Sequence, residues 1–200
     1  MNDSRWSFRT RAIHVGNERD AATGAIVPPI HVASTFVMPG AGEPCDFDYS
    51  RTGTPTRQRL ERTIASLEGG VGALAYSSGM AATHGAMLLL SQGDHVLAGT
   101  DIYGGTYRLL HKVLVSSGVS VTLVDTRSTE ALERAVRPNT KMLWLESPGN
   151  PQLSITDLTA CSAWAHGKEL LVGVDNTFAT PILQRPLDAG ARRRPRRARS

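Results

Sequence analysis

Between Pro55 and Asp175 the chain alternates short apolar runs with helical stretches, and this alternation constrains its fold more than any other feature. TPTRQRLERTIASLEGG places Leu60, Ile64 and Leu67 at helical spacing and stops on Gly69-Gly70. GALAY reads as a strand, MAATHGAMLLLS as a small-residue helix and DHVLAG as a strand. GGTYRLLHKVLVSSG reads as a helix, VSVTLVD as a strand, STEALERAV as a helix and TKMLWLES as a strand. ITDLTACSAWAHGK is then a helix and ELLVGVD a strand. Strands that alternate with helices through short connections predict an α/β domain: a mostly parallel sheet with helices on both faces. Ligands of such sheets bind beyond the carboxyl ends of the strands.

The flanks read differently. Residues 1–57 are rich in Pro, Gly and Thr and show no sustained period, which predicts an extended arm with loops. An arm of that length costs ordering entropy unless something covers it, and a second subunit is the expected cover. Residues 58–191 form the α/β domain, and 192–200 form an arginine-rich tail that does not match it. Six arginines in that tail make most of the basic balance. The whole chain has 22 basic and 18 acidic residues, and without those six the net charge is −2. No aromatic or glycine interleaves with the arginines, so nucleic acid is not an expected partner.

No run of eighteen apolar residues occurs, and the first sixteen residues contain no apolar signal segment. A cytoplasmic location without membrane contact is the expectation. Cys45 and Cys161 read as two reduced thiols. The six histidines show no metal-ligand spacing, so no metal is expected. Neither a GxxxxGK[ST] loop, nor GxGxxG, nor a Gly-x-Ser-x-Gly elbow is present.

Four strand ends are candidates for chemistry. Ser77-Ser78-Gly79-Met80 precedes a helix, where free N–H groups suit a phosphate, although a plain helix cap reads the same way. Tyr103, before Gly104-Gly105, could present its ring to a flat ligand or pack in its loop. In Glu146-Ser147-Pro148-Gly149-Asn150-Pro151 the prolines fix a turn and leave Asn150 with a donor and an acceptor. Asp175 closes an apolar strand, where it either caps the next segment or pairs with a cation.

YSRTGTPT (49–56), AYSSGMAA (75–82), DIYGGTYR (101–108), ESPGNP (146–151) and VDNTFATPILQRPLDAGA (174–191) occur in order, with PPIHVASTF (28–36) before them. Together they resemble the Cys/Met-metabolism family of pyridoxal-phosphate (PLP) enzymes: cystathionine γ-synthase, cystathionine γ- and β-lyases, methionine γ-lyase and the homoserine-ester sulfhydrylases. The resemblance implies the large domain of a fold-type-I PLP-dependent transferase, incomplete at its C-terminus. It implies a small amino-acid substrate and a homodimer or homotetramer. Gly79 and Met80 would give N–H groups to the PLP phosphate. Tyr103 would stack on the ring and take part in catalysis. Asp175 would pair with the ring nitrogen, Asn150 would lie near the ring hydroxyl, and Tyr49 and Arg51 would reach the phosphate in a neighbouring subunit. The implied activity is β- or γ-elimination, or γ-replacement, on cystathionine or an acylated homoserine. A γ-synthase is preferred over a cystathionine or methionine γ-lyase, and a non-catalytic PLP-binding or subunit-interaction fragment is the alternative.

Two departures stand out. Thr54 replaces the usual asparagine of the arm motif, and the lysine that anchors the cofactor is not found after Ala191, where Arg192-Arg193-Arg194-Pro195 stands. The only lysines are Lys112, Lys141 and Lys168. A frameshift near Ala191 would account for the switch to arginine-rich sequence, and catalysis by the chain as written is not expected.

Overall fold

Four strands form one sheet in the order β2-β1-β3-β4, and every neighbouring pair is parallel. They are β1 (His95–Gly99), β2 (Ser120–Val124), β3 (Thr140–Glu146) and β4 (Leu171–Asp175). The computed structural model describes residues 5–191. These fall in two compact units, one running to Ala75 and the other starting at Tyr76. The arginine-rich tail lies outside the described residues.

The second unit carries the sheet. β1 is buried along its whole length, as expected of a central parallel strand covered on both faces. The strand period of two sorts its side chains. Val96 and Ala98, with Met142 and Trp144 of β3, pack against Met87, Leu109, Leu110 and Leu114. Leu97, Leu143, Leu145 and Val172 pack on the opposite side with Leu132, Leu158, Cys161 and Ala165. Two core layers result, each roofed by helices. One roof is α3 (Gly79–Met87) and α4 (Gly104–Arg108), which widens into a π-turn at Leu109–Leu114. The other is α5 (Thr129–Ala135) and α6 (Leu158–Gly167). Gly173 makes room for its register partner, since a Cβ there would stand 2.5 Å from Cε3 of Trp144.

Hydroxyl and carboxylate caps start the helices. Ser78 accepts from the Ala81 N–H, Ser128 from Ala131 and Asp157 from Ala160, each satisfying a donor that the helix leaves open. Thr180–Leu183 forms a further short helix, α7.

The first unit contains α1 (Phe8–His14) and α2 (Pro55–Glu68). The expectation of an arm without regular structure misses α1, which Ser7 caps through the Thr10 N–H. Arg11 donates to the Ser66 carbonyl and Thr63 Oγ1 to the Val15 carbonyl, at 2.7 Å for the latter. Gly16, at φ 77°, lies so close to α2 that a Cβ would meet the Arg59 carbonyl oxygen at 2.4 Å. α2 starts on the Thr54 cap with Pro55 in its first turn and stops at Gly69, φ 73°, as its sequence predicts. Its apolar stripe is only partly covered: Leu67 is buried, whereas Leu60 and Ile64 are exposed. Between α2 and α3, GALAY forms no strand. It runs without ladder hydrogen bonds, because among the described residues no neighbouring strand pairs with it.

Candidate functional site

Strand order places the site. After β1 the chain adds β2 on one side, then crosses back to add β3 and β4 on the other. The connections therefore leave the carboxyl ends of β1 and β3 in opposite directions and open a crevice between them. Three carboxylates stand at or just beyond those ends: Asp101 after β1, Glu146 ending β3 and Asp175 ending β4.

Each carboxylate has a different environment. Asp101 accepts from the Gln152 N–H at 3.1 Å, the Ser154 N–H at 3.2 Å and the Ser154 hydroxyl at 2.6 Å. These bonds hold the 147–154 loop against the end of β1. Burial acts to raise its pKa, but the donors outweigh burial and keep it below the usual carboxylate range. Gly149 sits against it, and a Cβ there would stand 2.3 Å from Asp101 Oδ2. Asp175 accepts from both the N–H and the hydroxyl of Thr177. Glu146 is buried, and its Oε2 accepts the Tyr103 N–H at 2.7 Å. Burial pushes its pKa up to about 7. The Tyr103 N–H opposes that rise, and the charges of Asp175 and Asp101 add to it.

Several of the residues singled out in the sequence come together here. The main chain of Tyr103 is tied to Glu146, and its ring is partly exposed. Gly105, buried, is the point where Tyr103 and Met80 converge. A Cβ on it would lie 2.4 Å from Cε1 of the tyrosine and 2.7 Å from the Met80 sulfur. Glu146 and Asp175 are register partners at the last rung of β3 and β4. Met80, Gly105, Tyr103, Glu146 and Asp175 thus form a continuous series across the crevice. Gly79 opens α3 with open space beside its Cα, and the first-turn N–H groups of Gly79 and Met80 have no acceptor within the helix. Asn150 is half-buried in the turn after β3. Gln184 ties that turn to the segment after β4, donating to the Ser147 carbonyl at 2.7 Å and to Asn176 Oδ1 at 2.8 Å.

Tyr49 and Arg51 belong to the first unit, where the guanidinium stacks over the phenol ring at 4.7 Å. A groove of about 950 Å³ in that unit, bordered by Trp6, His14, Glu18 and Arg62, contains none of the candidate site residues. Sequence reasoning assigns no role to Glu146, Asp101 or Gln184. The available signal is a carboxylate at the end of an apolar strand, the same signal that marks Asp175.

None of the three lysines stands at the carboxyl edge. Lys141 is the second residue of β3, near the opposite edge, Lys112 lies in the π-turn, and Lys168 follows α6 and pairs with Glu133 at 2.6 Å. Among the described residues no cluster of His, Cys, Asp and Glu could hold a metal ion. No helix among them is long and apolar enough to cross a membrane.

Comparison with known proteins identifies close relatives of this arrangement. The family model described as Cys/Met metabolism PLP-dependent enzyme matches residues 9–192. The cystathionine beta-lyase MetC of Bacillus subtilis is 48% identical over 190 residues, covering 95% of this chain and 49% of that protein. A cystathionine gamma-lyase of the same organism is 48% identical over 183 residues, covering 92% of the chain and 48% of the relative. Among solved structures, metB from Corynebacterium glutamicum superposes with a TM-score of 0.92 at 43% identity, covering 96% of this chain and 50% of that one. The chain spans about half the length of these relatives.

Proposed function

The chain belongs to the Cys/Met metabolism family of PLP-dependent enzymes, and from that premise we propose that it carries the cofactor-binding half of a transsulfuration enzyme. The reaction is β- or γ-elimination, or γ-replacement, on cystathionine or an acylated homoserine, with γ-replacement preferred. The observation that supports this most is the series Met80, Tyr103, Glu146 and Asp175 laid across the topological switch point.

The residues present fit PLP. Gly79 and Met80 offer unpaired N–H groups at the start of a nine-residue helix, with no side chain in the way of a phosphate. The absence of a Cβ on Gly105 leaves the Tyr103 ring its place beside Met80, from which it would stack on a flat heterocycle. Asp175, held in orientation by Thr177, would pair with a protonated ring nitrogen. Asn150 would hydrogen-bond the ring hydroxyl. When bound, PLP supplies an electron sink for carbanion chemistry at the substrate carbons. Tyr49 and Arg51 serve the phosphate of a second copy, the planar guanidinium matching phosphate oxygens. On this reading the arm serves a homodimer or homotetramer.

Because none of the three lysines stands at the carboxyl edge, the contacts proposed for this half are non-covalent: the phosphate, the ring face and the ring nitrogen. Titration of the full chain with PLP, followed by tryptophan fluorescence, tests the reading. The expected result is saturable binding, reversed by dialysis, and at least about tenfold weaker for pyridoxal, which has no phosphate. Absence of saturable binding, or equal affinity for the two compounds, refutes it.

A further inference from the structure

The role of Glu146 is not explained by cofactor contacts, sheet pairing or solvation. It is a buried carboxyl at the end of a central strand, and no cation pairs with it among the described residues. Its neighbours are the carboxylates of Asp175, on the next strand, and Asp101, beyond β1. A carboxyl in such company is costly to ionise and contributes nothing to the core that leucine would not. What it does provide is one directed bond: Oε2 accepts the Tyr103 N–H from 43 residues away, at 2.7 Å. That N–H belongs to the residue preceding α4, whose φ is −51° and ψ 133°, and Tyr103 has no side-chain capping bond of its own. The turn between β1 and α4 therefore depends on β3 for its position.

We propose that Glu146 is a positioning residue of the cofactor cleft: by accepting the Tyr103 N–H it fixes the turn that presents the Tyr103 ring beside Met80, in line with Asp175. The inference rests on the reading of the cleft as a PLP site. It assigns Glu146 no contact with cofactor or substrate. Burial pushes the Glu146 pKa up to about 7, so the oxygen that accepts from Tyr103 belongs to a carboxyl that is only partly ionised near neutrality. The groups that face Glu146 are the Tyr103 N–H, Asp175 and Asp101, and the Arg127 charge acts on Asp101.

Two variants of the full chain separate the hydrogen bond from the charge. Glu146→Gln keeps an acceptor oxygen for Tyr103 and is permanently neutral. Glu146→Ala removes the acceptor. Amide hydrogen exchange at Tyr103, measured without any ligand, reports whether the turn is held. PLP affinity, measured by fluorescence titration, reports whether the ring is placed. In Glu146→Ala the Tyr103 amide is expected to exchange at least about tenfold faster and PLP to bind about tenfold more weakly. In Glu146→Gln both stay within about twofold of the parent chain. Unchanged exchange in Glu146→Ala overturns the proposal, as does faster exchange with unchanged affinity. Equal losses in both variants overturn it too, because charge rather than the acceptor would then be at work. A parent chain that binds no PLP refutes the PLP reading and the cleft part of this proposal, and the exchange measurement alone then decides whether Glu146 fixes the turn. Should Glu146→Ala fail to fold, Glu146→Asp, one methylene short of the Tyr103 N–H, takes its place with the same expectations.

Discussion

His95 and Glu146 titrate across the same pH range with opposite effects on stability, so each hides the other in the unmodified chain. His95 opens β1 with no exposed surface, its Nδ1 2.8 Å from Thr140 Oγ1 and its Nε2 2.9 Å from Thr122 Oγ1. Burial, and then the Arg137 charge, lower its pKa from 6.5 to about 4. The unfolded chain therefore takes up a proton near pH 6.5 that the folded chain refuses until about pH 4. The stability associated with neutral His95 is fully present above 6.5 and is lost on acidification. At about 1.4 kcal/mol per pKa unit, the loss comes to about 3 kcal/mol. Glu146 runs the other way. Its folded pKa of about 7 lies above the ordinary 4.5, so its contribution is present below pH 4.5 and is lost, again by about 3 kcal/mol, as pH rises through 7. Between pH 4.5 and 6.5 the two slopes offset one another, and urea denaturation followed by circular dichroism should give the unmodified chain a nearly flat profile. Glu146→Gln removes one slope, and its stability should fall by about 3 kcal/mol from pH 6.5 to 4.5. His95→Gln removes the other, and its stability should rise by about the same amount from pH 7 to 4.5. The slopes, not the absolute stabilities, are the readout, because either substitution also changes packing. Parallel profiles for the two variants would refute the assignment of opposite titrations.

Three further outcomes are expected. With an Ellman-type reagent, exposed Cys45 should react at once in the native chain. Cys161, buried with its thiol pushed up to about 11 and 3.2 Å from the Thr126 carbonyl, should react only in denaturant. Leu143→Ala, at a fully buried position of β3, should lower the unfolding free energy by about 2–5 kcal/mol in urea titrations. Gly105→Ala should keep the far-ultraviolet dichroism of the parent and weaken PLP binding by about tenfold, since the added methyl displaces the Tyr103 ring or the Met80 sulfur.

The sheet was legible in the sequence because parallel strands are buried on both faces and read as short apolar runs. DHVLAG, VSVTLVD, TKMLWLES and ELLVGVD correspond to β1 to β4 for that reason. GALAY has the same composition and forms no strand, since pairing is a property of neighbours and composition does not encode it. α1 is not legible because FRTRAIH has one aliphatic side chain larger than alanine and no period. It is held by a cap and by contacts that Arg11 and Thr63 make across some fifty positions of sequence. At the cleft, Tyr103 and Asp175 could be singled out from position alone, as aromatic and acidic residues at strand ends. Glu146 occupies an equivalent position, yet the bond it accepts comes from a turn 43 residues away, and nothing local in ESPGNP signals that. Leu60 and Ile64 show the converse. Their spacing reads as a buried face, and within this chain that face stays largely open.

The strand order also gives the two walls of the cleft unequal lifetimes. Glu146 ends a strand laddered on both sides, whereas among the described residues β4 pairs with β3 alone. To displace β3 as a whole the chain must break the ladders to β1 and β4 together with both core layers, although its last two residues, Leu145 and Glu146, pair with β4 alone. Asp175 is released by the peeling of one strand from one neighbour, an event of much lower free energy. The Tyr103 side of the crevice therefore persists through openings that carry the Asp175 side away. A flat guest with a protonated ring nitrogen, bound as proposed, would find its stacking wall standing and its counter-charge intermittent, with residence governed by how often β4 detaches.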